Sequence, residues 1–192
     1  MSIDLQKSVA QQVMDKLSTV DPFCILAGGA PRDWYFGREA TDLDFFIHLG
    51  RVDRKNIVSK QLGRLFDIES VKSGEKLPEN YKLNPYLRHV FQIGGYGIPV
   101  QIMVMSEPTF ISVVDLFPLS VCKAWWKDGV LRTHDDFQTG VRHNAIFKTA
   151  TEYGEDHKYI QKICDKYPDM RYCESELQMY QVKDFYSDIS VK

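Results

Sequence analysis

The sequence predicts an α+β domain organised around one mixed β-sheet flanked by helices. Three observations lead there. Helical stripes and short apolar runs alternate as β-α-β-α after an opening helix, strand and hairpin patterns fill the middle, and helical patterns return later with no internal repeat. A chain of 192 residues suffices for one domain with a real core and a small appendage. Residues 1–150 are read as the domain, and 151–192 as a short helical and irregular C-terminal extension packed on it.

The elements follow from local pattern. Ile3, Leu5, Val9, Val13 and Leu17 form a stripe at helical spacing across residues 3–18, and Asp21-Pro22 ends it because a residue before proline avoids helical backbone angles. Phe23 to Ala27 is a buried strand broken at once by Gly28-Gly29, and Pro31 suits the first turn of a short helix that stops near Gly37. Residues 41–49, rich in bulky and branched side chains, form the second strand, followed by a helix over 53–66 and a brief strand over 68–71. Residues 73–85 read as a loop. Leu87–Ile93 and Ile98–Met105 pair about a Gly-Gly-Tyr-Gly turn. Pro108 opens a helix to Phe117. Leu119–Trp126 and Val130–Thr133 form a hairpin about Asp128-Gly129, and residues 135–149 and 155–166 are helical. The tail after Tyr167-Pro168 carries no readable pattern.

Composition narrows the function classes. A hydrophobic fraction of 44%, a charged fraction of 26% and a net charge of −2 describe an ordinary globular protein without a strong field towards nucleic acid or membrane. No apolar run approaches the roughly 20 residues of a bilayer span, and the N-terminus lacks a signal pattern, so no membrane partner is expected. Cys24, Cys122, Cys164 and Cys173 show no CxxC spacing, which fits a reduced, cytoplasmic protein without a zinc site. The chain has no P-loop, and Gly94-Gly95-Tyr96-Gly97 lacks the strand-to-helix context of a dinucleotide fingerprint.

The chemistry concentrates in one stretch. On a strand, Asp42 and Asp44 point the same way, roughly 6–7 Å apart, while Leu43, Phe45 and Ile47 face a core. Their mutual repulsion is relieved by a divalent cation, and hard oxygen ligands suit Mg²⁺ (or Mn²⁺) carried with substrate phosphates. Gly28-Gly29, between a strand and a helix start, lets backbone approach an anion closely, as an NTP triphosphate requires. Taken singly, a solvated acidic strand face and a plain tight turn account for these features. Taken together they form one pattern.

Written out, that pattern is Gly28-Gly29-Ala30-Pro31-Arg32-Asp33, then Gly37, then Asp42-Leu43-Asp44. From about Cys24 to His48 the sequence resembles the DNA polymerase β-like nucleotidyltransferase superfamily, above all the head-domain signature of poly(A) polymerases and CCA-adding enzymes. More faintly, Phe117 to Gly129 looks like the Phe-Asp…Cys-Lys segment of small nucleotidyltransferases from phages and viruses. The resemblance implies a nucleotidyltransferase-like sheet, and an enzyme that moves a nucleoside monophosphate from an NTP to a hydroxyl, RNA or other, with release of pyrophosphate. It assigns Asp42 and Asp44 as catalytic metal ligands, Gly28, Gly29 and Arg32 as nucleotide-binding, and Asp33 as the group orienting Arg32. A phage origin would place the protein in the host cytoplasm.

The sequence departs from the family at the third carboxylate. Its expected strand carries Gln101, and Pro118 stands where the phage-like segment has aspartate. Gln101 and Asp115 are the candidates for a third member of the metal shell, with Glu107 nearby. The alternative function is therefore a catalytically weak or inactive protein of the same fold that binds nucleotide, RNA or a protein partner. His48 is read as a surface or hydrogen-bonded histidine, and Trp125-Trp126 as packing. Arg51, Arg54, Lys55, Lys60 and Arg64 are explained equally by an acceptor's phosphates or by a solvated helix face.

Overall fold

The computed structural model describes residues 1–49, 55–66, 71–73, 86–106, 110–149 and 157–180. Helix α1 (Ile3–Ser18) forms on the predicted stripe, with Ser2 as its N-cap. It buries Val9, Val13, Met14 and Leu17, each side chain contributing about 1.5–3 kcal/mol of burial free energy. Asp21 ends the turn that follows. Its Oδ1 accepts from the Phe23 amide (2.9 Å) and its Oδ2 from the His48 amide (2.8 Å), tying the start of one strand to the end of another.

Strand β1 (Ile25–Ala27) leads through Gly28 into α2 (Gly29–Tyr35), then β2 (Leu43–His48) and α3 (Lys55–Leu65). Strands β3 (Val71–Ser73), β4 (Leu87–Ile93) and β5 (Val100–Met105) follow, then α4 (Phe110–Asp115), β6 (Ala124–Lys127) and β7 (Val130–Thr133). These seven strands make one sheet in the order β3-β4-β5-β2-β1-β6-β7. The pair β2–β5 is parallel and the other neighbours are antiparallel, so the sheet is mixed as expected. The β6–β7 turn uses Asp128 and Gly129 at positive φ (51° and 77°), the geometry for which Asp-Gly is favoured.

The two faces of the sheet differ. On one, Leu43, Phe45, Ile47, Phe91, Ile102 and Val104 form the main core with α1 and with Val58 and Leu62 of α3. On the other, Phe46, Met103 and Met105 pack beneath Val113 of α4 and Phe117. The same face carries Asp44 and Gln101 beyond that apolar cover, because alternate residues of a strand point the same way. A buried glutamine fixes the approach to this face. Gln6 Oε1 accepts from Trp34 Nε1 (2.7 Å) and the Ala40 amide (2.9 Å), and Gln6 Nε2 donates to the Ala40 carbonyl (2.9 Å). Helix α1 therefore holds both α2 and the segment entering β2.

Several local expectations are corrected. The helix expected over 135–149 stops early. Helix α5 (Asp135–Arg142) is followed by Asn144 at φ 49°, a left-handed position that asparagine tolerates, and then by β8 (Ala145–Phe147). The strand expected from Leu119 begins only at β6, because Ser120–Cys122 form a 3₁₀ turn whose Ser120 Oγ accepts from the Phe147 amide (3.1 Å). Helix α6 (His157–Lys166) leads to β9 (Arg171–Cys173), which pairs in parallel with β8 although the tail showed no strand pattern. Pro108, most of the 68–71 strand, most of the 73–85 loop and residues 181–192 lie outside the described residues. No described helix is long and apolar enough to cross a membrane.

Candidate nucleotide site

The antiparallel register Ile25↔Phe46 and Leu26↔Phe45 runs the end of β1 into the beginning of β2, so the glycine turn and the aspartates meet at one end of the sheet. Gly28 takes φ 84°, where a side chain would be strained, and the Phe117 ring lies 3.6 Å from the position its Cβ would occupy. Its amide donates to the Ala124 carbonyl (3.0 Å). Gly29 opens the first turn of α2. A Cβ on Gly29 would lie 3.8 Å from Arg32 Nη2 and 4.0 Å from Asp42 Oδ1. One guanidinium nitrogen and one carboxylate oxygen therefore border the same small space above a bare backbone.

Asp42 precedes β2 and is half-buried, with Thr41 Oγ1 donating to its Oδ1 (3.2 Å). Asp44 lies on β2 with its Oδ1 sealed from solvent and without a hydrogen-bond partner. Burial, then the neighbouring Asp42 charge, raises its pKa from 3.8 to about 7, while Lys162 and Arg32 act in the opposite direction. A buried carboxylate oxygen left without a donor, beside a second carboxylate, is the donor set that a hard divalent cation satisfies. Among the described residues no group of three or more His, Cys, Asp or Glu that could hold a metal ion is found.

Arg32 is buried. Its Nε donates to Asp33 Oδ1 (3.0 Å) and to the Tyr167 hydroxyl (3.1 Å), and its Nη1 to Cys122 Sγ (3.3 Å). Asp33 also accepts from the Tyr167 hydroxyl (2.6 Å) and pairs with Lys166. No motif in the sequence marks Tyr167, Lys166 or Lys162, and Cys122 stands there only as part of the Cys-Lys segment. For the α6 residues the one signal is the helical spacing that places Tyr159, Lys162, Ile163 and Lys166 along one side of the helix.

Gln101 stands directly opposite Asp44 in the β2–β5 register, with Gln92 next in line on β4. Asp115 Oδ1 lies 3.3 Å from His134 Nε2, at the N-cap of α5. Glu107 lies outside the described residues. The Pro118 carbonyl accepts from the Thr149 amide (3.0 Å). His48 is hydrogen-bonded, its Nδ1 3.1 Å from the Met105 carbonyl oxygen. Trp126 packs edge-on against Trp34 (6.1 Å, 83°), and Trp125 packs with Ile25, Ala27 and Val114. Lys60 and Arg64 are exposed on α3, which covers the sheet face opposite to Asp44; Arg51 and Arg54 lie outside the described residues, as does the Lys55 side chain.

No family model matches the chain, and no curated protein matches it. Solved structures do. The Thermotoga maritima CCA-adding enzyme complexed with tRNA aligns with a TM-score of 0.57 and 14% identity over 88% of this chain and 40% of that one. A CCA-adding enzyme with CTP gives 0.54 and 15% over the same shares, 88% and 40%. A tRNA-processing enzyme complex gives 0.51 and 14% over 84% and 43%. At such identities the likeness shows the fold, which is nucleotidyltransferase-like, and the chain spans about two fifths of the length of the enzymes it matches.

Proposed function

We propose that the protein is a Mg²⁺-dependent (or Mn²⁺-dependent) nucleotidyltransferase that moves a nucleoside monophosphate from an NTP to a hydroxyl acceptor. The observation that supports it most is the shared space at Gly29, bordered by Arg32 Nη2 and Asp42 Oδ1, beside the unpartnered Asp44 Oδ1. The acceptor oxygen forms a bond to the α-phosphorus, the bond from that phosphorus to the bridging oxygen breaks, pyrophosphate leaves, and the hydroxyl proton passes to water. Asp42 and Asp44 would hold the metal, which when bound supplies positive charge to the attacking and leaving oxygens. Arg32 faces the phosphates with a fixed positive charge. Gly29 admits them to the backbone. The chain's own part is then positioning and preorganised electrostatics.

The acceptor class is proposed by analogy with a fold neighbour complexed with tRNA, which favours RNA. The Phe117–Gly129 likeness adds a proposal of phage or viral type, and the four unpaired cysteines fit a reducing cytoplasm. Incubation with labelled NTPs, Mg²⁺ and short RNA acceptors tests the activity. Label should enter an acceptor, and Asp42→Asn and Asp44→Asn should each reduce incorporation by at least about 100-fold, in line with loss of a principal electrostatic group. Undiminished labelling in the double variant would remove the assignment.

One observation favours a second reading. The residue in register with Asp44 is the neutral Gln101, which contributes no charge to a metal shell. A protein with reduced chemistry would bind Mg²⁺ and NTP in calorimetry yet show no turnover over a broad panel of acceptors.

A further inference from the structure

Arginine side chains carry about 2 kcal/mol of rotamer entropy, so an arginine that must meet phosphate gains from being fixed beforehand. Arg32 is fixed from the interior at two of its three nitrogens. Asp33 and Cys122 supply two partners, and the third, the Tyr167 hydroxyl, arrives from 135 positions along the chain. The phenol works in both directions. It accepts from Arg32 Nε at 3.1 Å and donates to Asp33 Oδ1 at 2.6 Å, while its ring lies 5.5 Å from the guanidinium carbon. Burial, ahead of the opposing Arg32 charge, holds the phenol protonated, which this donor role requires. The nitrogen that remains, Nη2, is the one facing the space above Gly29.

The segment carrying Tyr167 is itself anchored. Lys166 pairs with Asp33, Arg38 donates to the Lys166 carbonyl and lies over the Tyr167 ring (4.9 Å), and Tyr159 Oη lies 3.2 Å from Cys122 Sγ. From this arrangement we infer that Tyr167 is a positioning residue for the nucleotide, holding Arg32 so that Nη2 meets the phosphates, and that α6 is thereby part of the nucleotide site. The inference rests on the nucleotidyltransferase reading.

The test uses the full chain and the variant Tyr167→Phe, which keeps the ring over both arginines and removes only the hydroxyl. Non-hydrolysable ATP, CTP, GTP and UTP analogues are titrated with Mg²⁺ by calorimetry, alongside thermal melts and steady-state kinetics. The expected result is a five- to tenfold weaker Kd and a matching rise in KM with kcat nearly retained. In an Arg32→Met background, the added Tyr167→Phe change should leave Kd unaltered, because the side chain through which Tyr167 acts is gone. A merely structural tyrosine would lower the melting temperature in both backgrounds and leave Kd alone. Wild-type binding with an unchanged Kd in Tyr167→Phe overturns the inference and leaves the proposed function standing. Equal weakening in both backgrounds overturns it too. Absence of Mg²⁺-dependent binding of every analogue to the wild-type chain overturns both.

Discussion

Asp44 carries a sealed, unpartnered carboxylate oxygen beside a second carboxylate, and its charge has a consequence for stability. Its folded pKa of about 7 exceeds the ordinary 3.8, so the folded chain binds this proton more tightly than the unfolded one. Stability therefore falls as pH rises between those values, and the loss is complete above about 7, where the buried carboxylate is charged. Asp44→Asn should raise the melting temperature of the metal-free protein, with the gap over wild type growing from pH 4 to 7 and then levelling. Each kcal/mol moves the melting point of a chain this size by about 2–4 °C, so calorimetry at several pH values reads the effect. A gap independent of pH would contradict it. The two glycines make a paired prediction. Gly29→Ala meets only ordinary contacts, 3.8 and 4.0 Å, in helical backbone, so the melt should hold or rise slightly while nucleotide affinity falls about tenfold or more, since the new methyl occupies the phosphate's approach. Gly28→Ala, at φ 84° and ψ −115°, should instead cost on the order of 1–3 kcal/mol of stability, seen in denaturant titration.

At the scale of elements, the site depends on side chains far from it. Gln6 on α1 completes three buried hydrogen bonds to Trp34 and Ala40, and so sets where α2 and β2 meet. Gln6→Leu leaves the Trp34 indole and both Ala40 backbone groups without partners. A loss of about 2–4 kcal/mol is expected by urea unfolding, together with lower nucleotide affinity as the aspartates and Arg32 lose their mutual placement. Strand periodicity made the orientation of Asp44 legible in advance: Leu43, Phe45 and Ile47 are buried, and the alternate residues lie on the other face. The Gly-Gly break and the Asp-Gly hairpin were legible for the same reason, since backbone angles at glycine are a local property. What was not legible was set by tertiary contact. The 135–149 stretch has helical character throughout, yet Asn144 turns left-handed and Ala145–Phe147 become a strand because β9 is there to pair with them. Ser120 reads as a strand residue until the Phe147 amide claims its hydroxyl.

For the whole molecule, the sequence reading reached a mixed sheet but not its order. Parallel pairing of β2 with β5, separated by α3 and two intervening strands, joins segments that no local signal connects. That pairing brings Gln101 level with Asp44. The contribution of residues 157–167 was invisible for the same physical reason: Tyr167, Lys166 and Tyr159 acquire meaning only through Arg32, Asp33 and Cys122. Removing everything after residue 156 should therefore destabilise the remainder by several kcal/mol, because Asp33 loses two of its partners, the cluster of Leu119, Val121 and Phe137 loses Ile163 and Tyr167, and β8 loses β9. A truncated chain melting within a degree or two of the full one would contradict that expectation.

The most direct measurement is a crystal structure of the protein soaked with Mn²⁺ and a non-hydrolysable NTP, with the metal located by its anomalous signal. A manganese peak bound by carboxylate oxygens of both Asp42 and Asp44 is expected, with a triphosphate lying over Gly29 within hydrogen-bonding distance of Arg32 Nη2. A nucleotide seated elsewhere, or one seated there while Asp44 Oδ1 still lacks a metal, would contradict the proposed site.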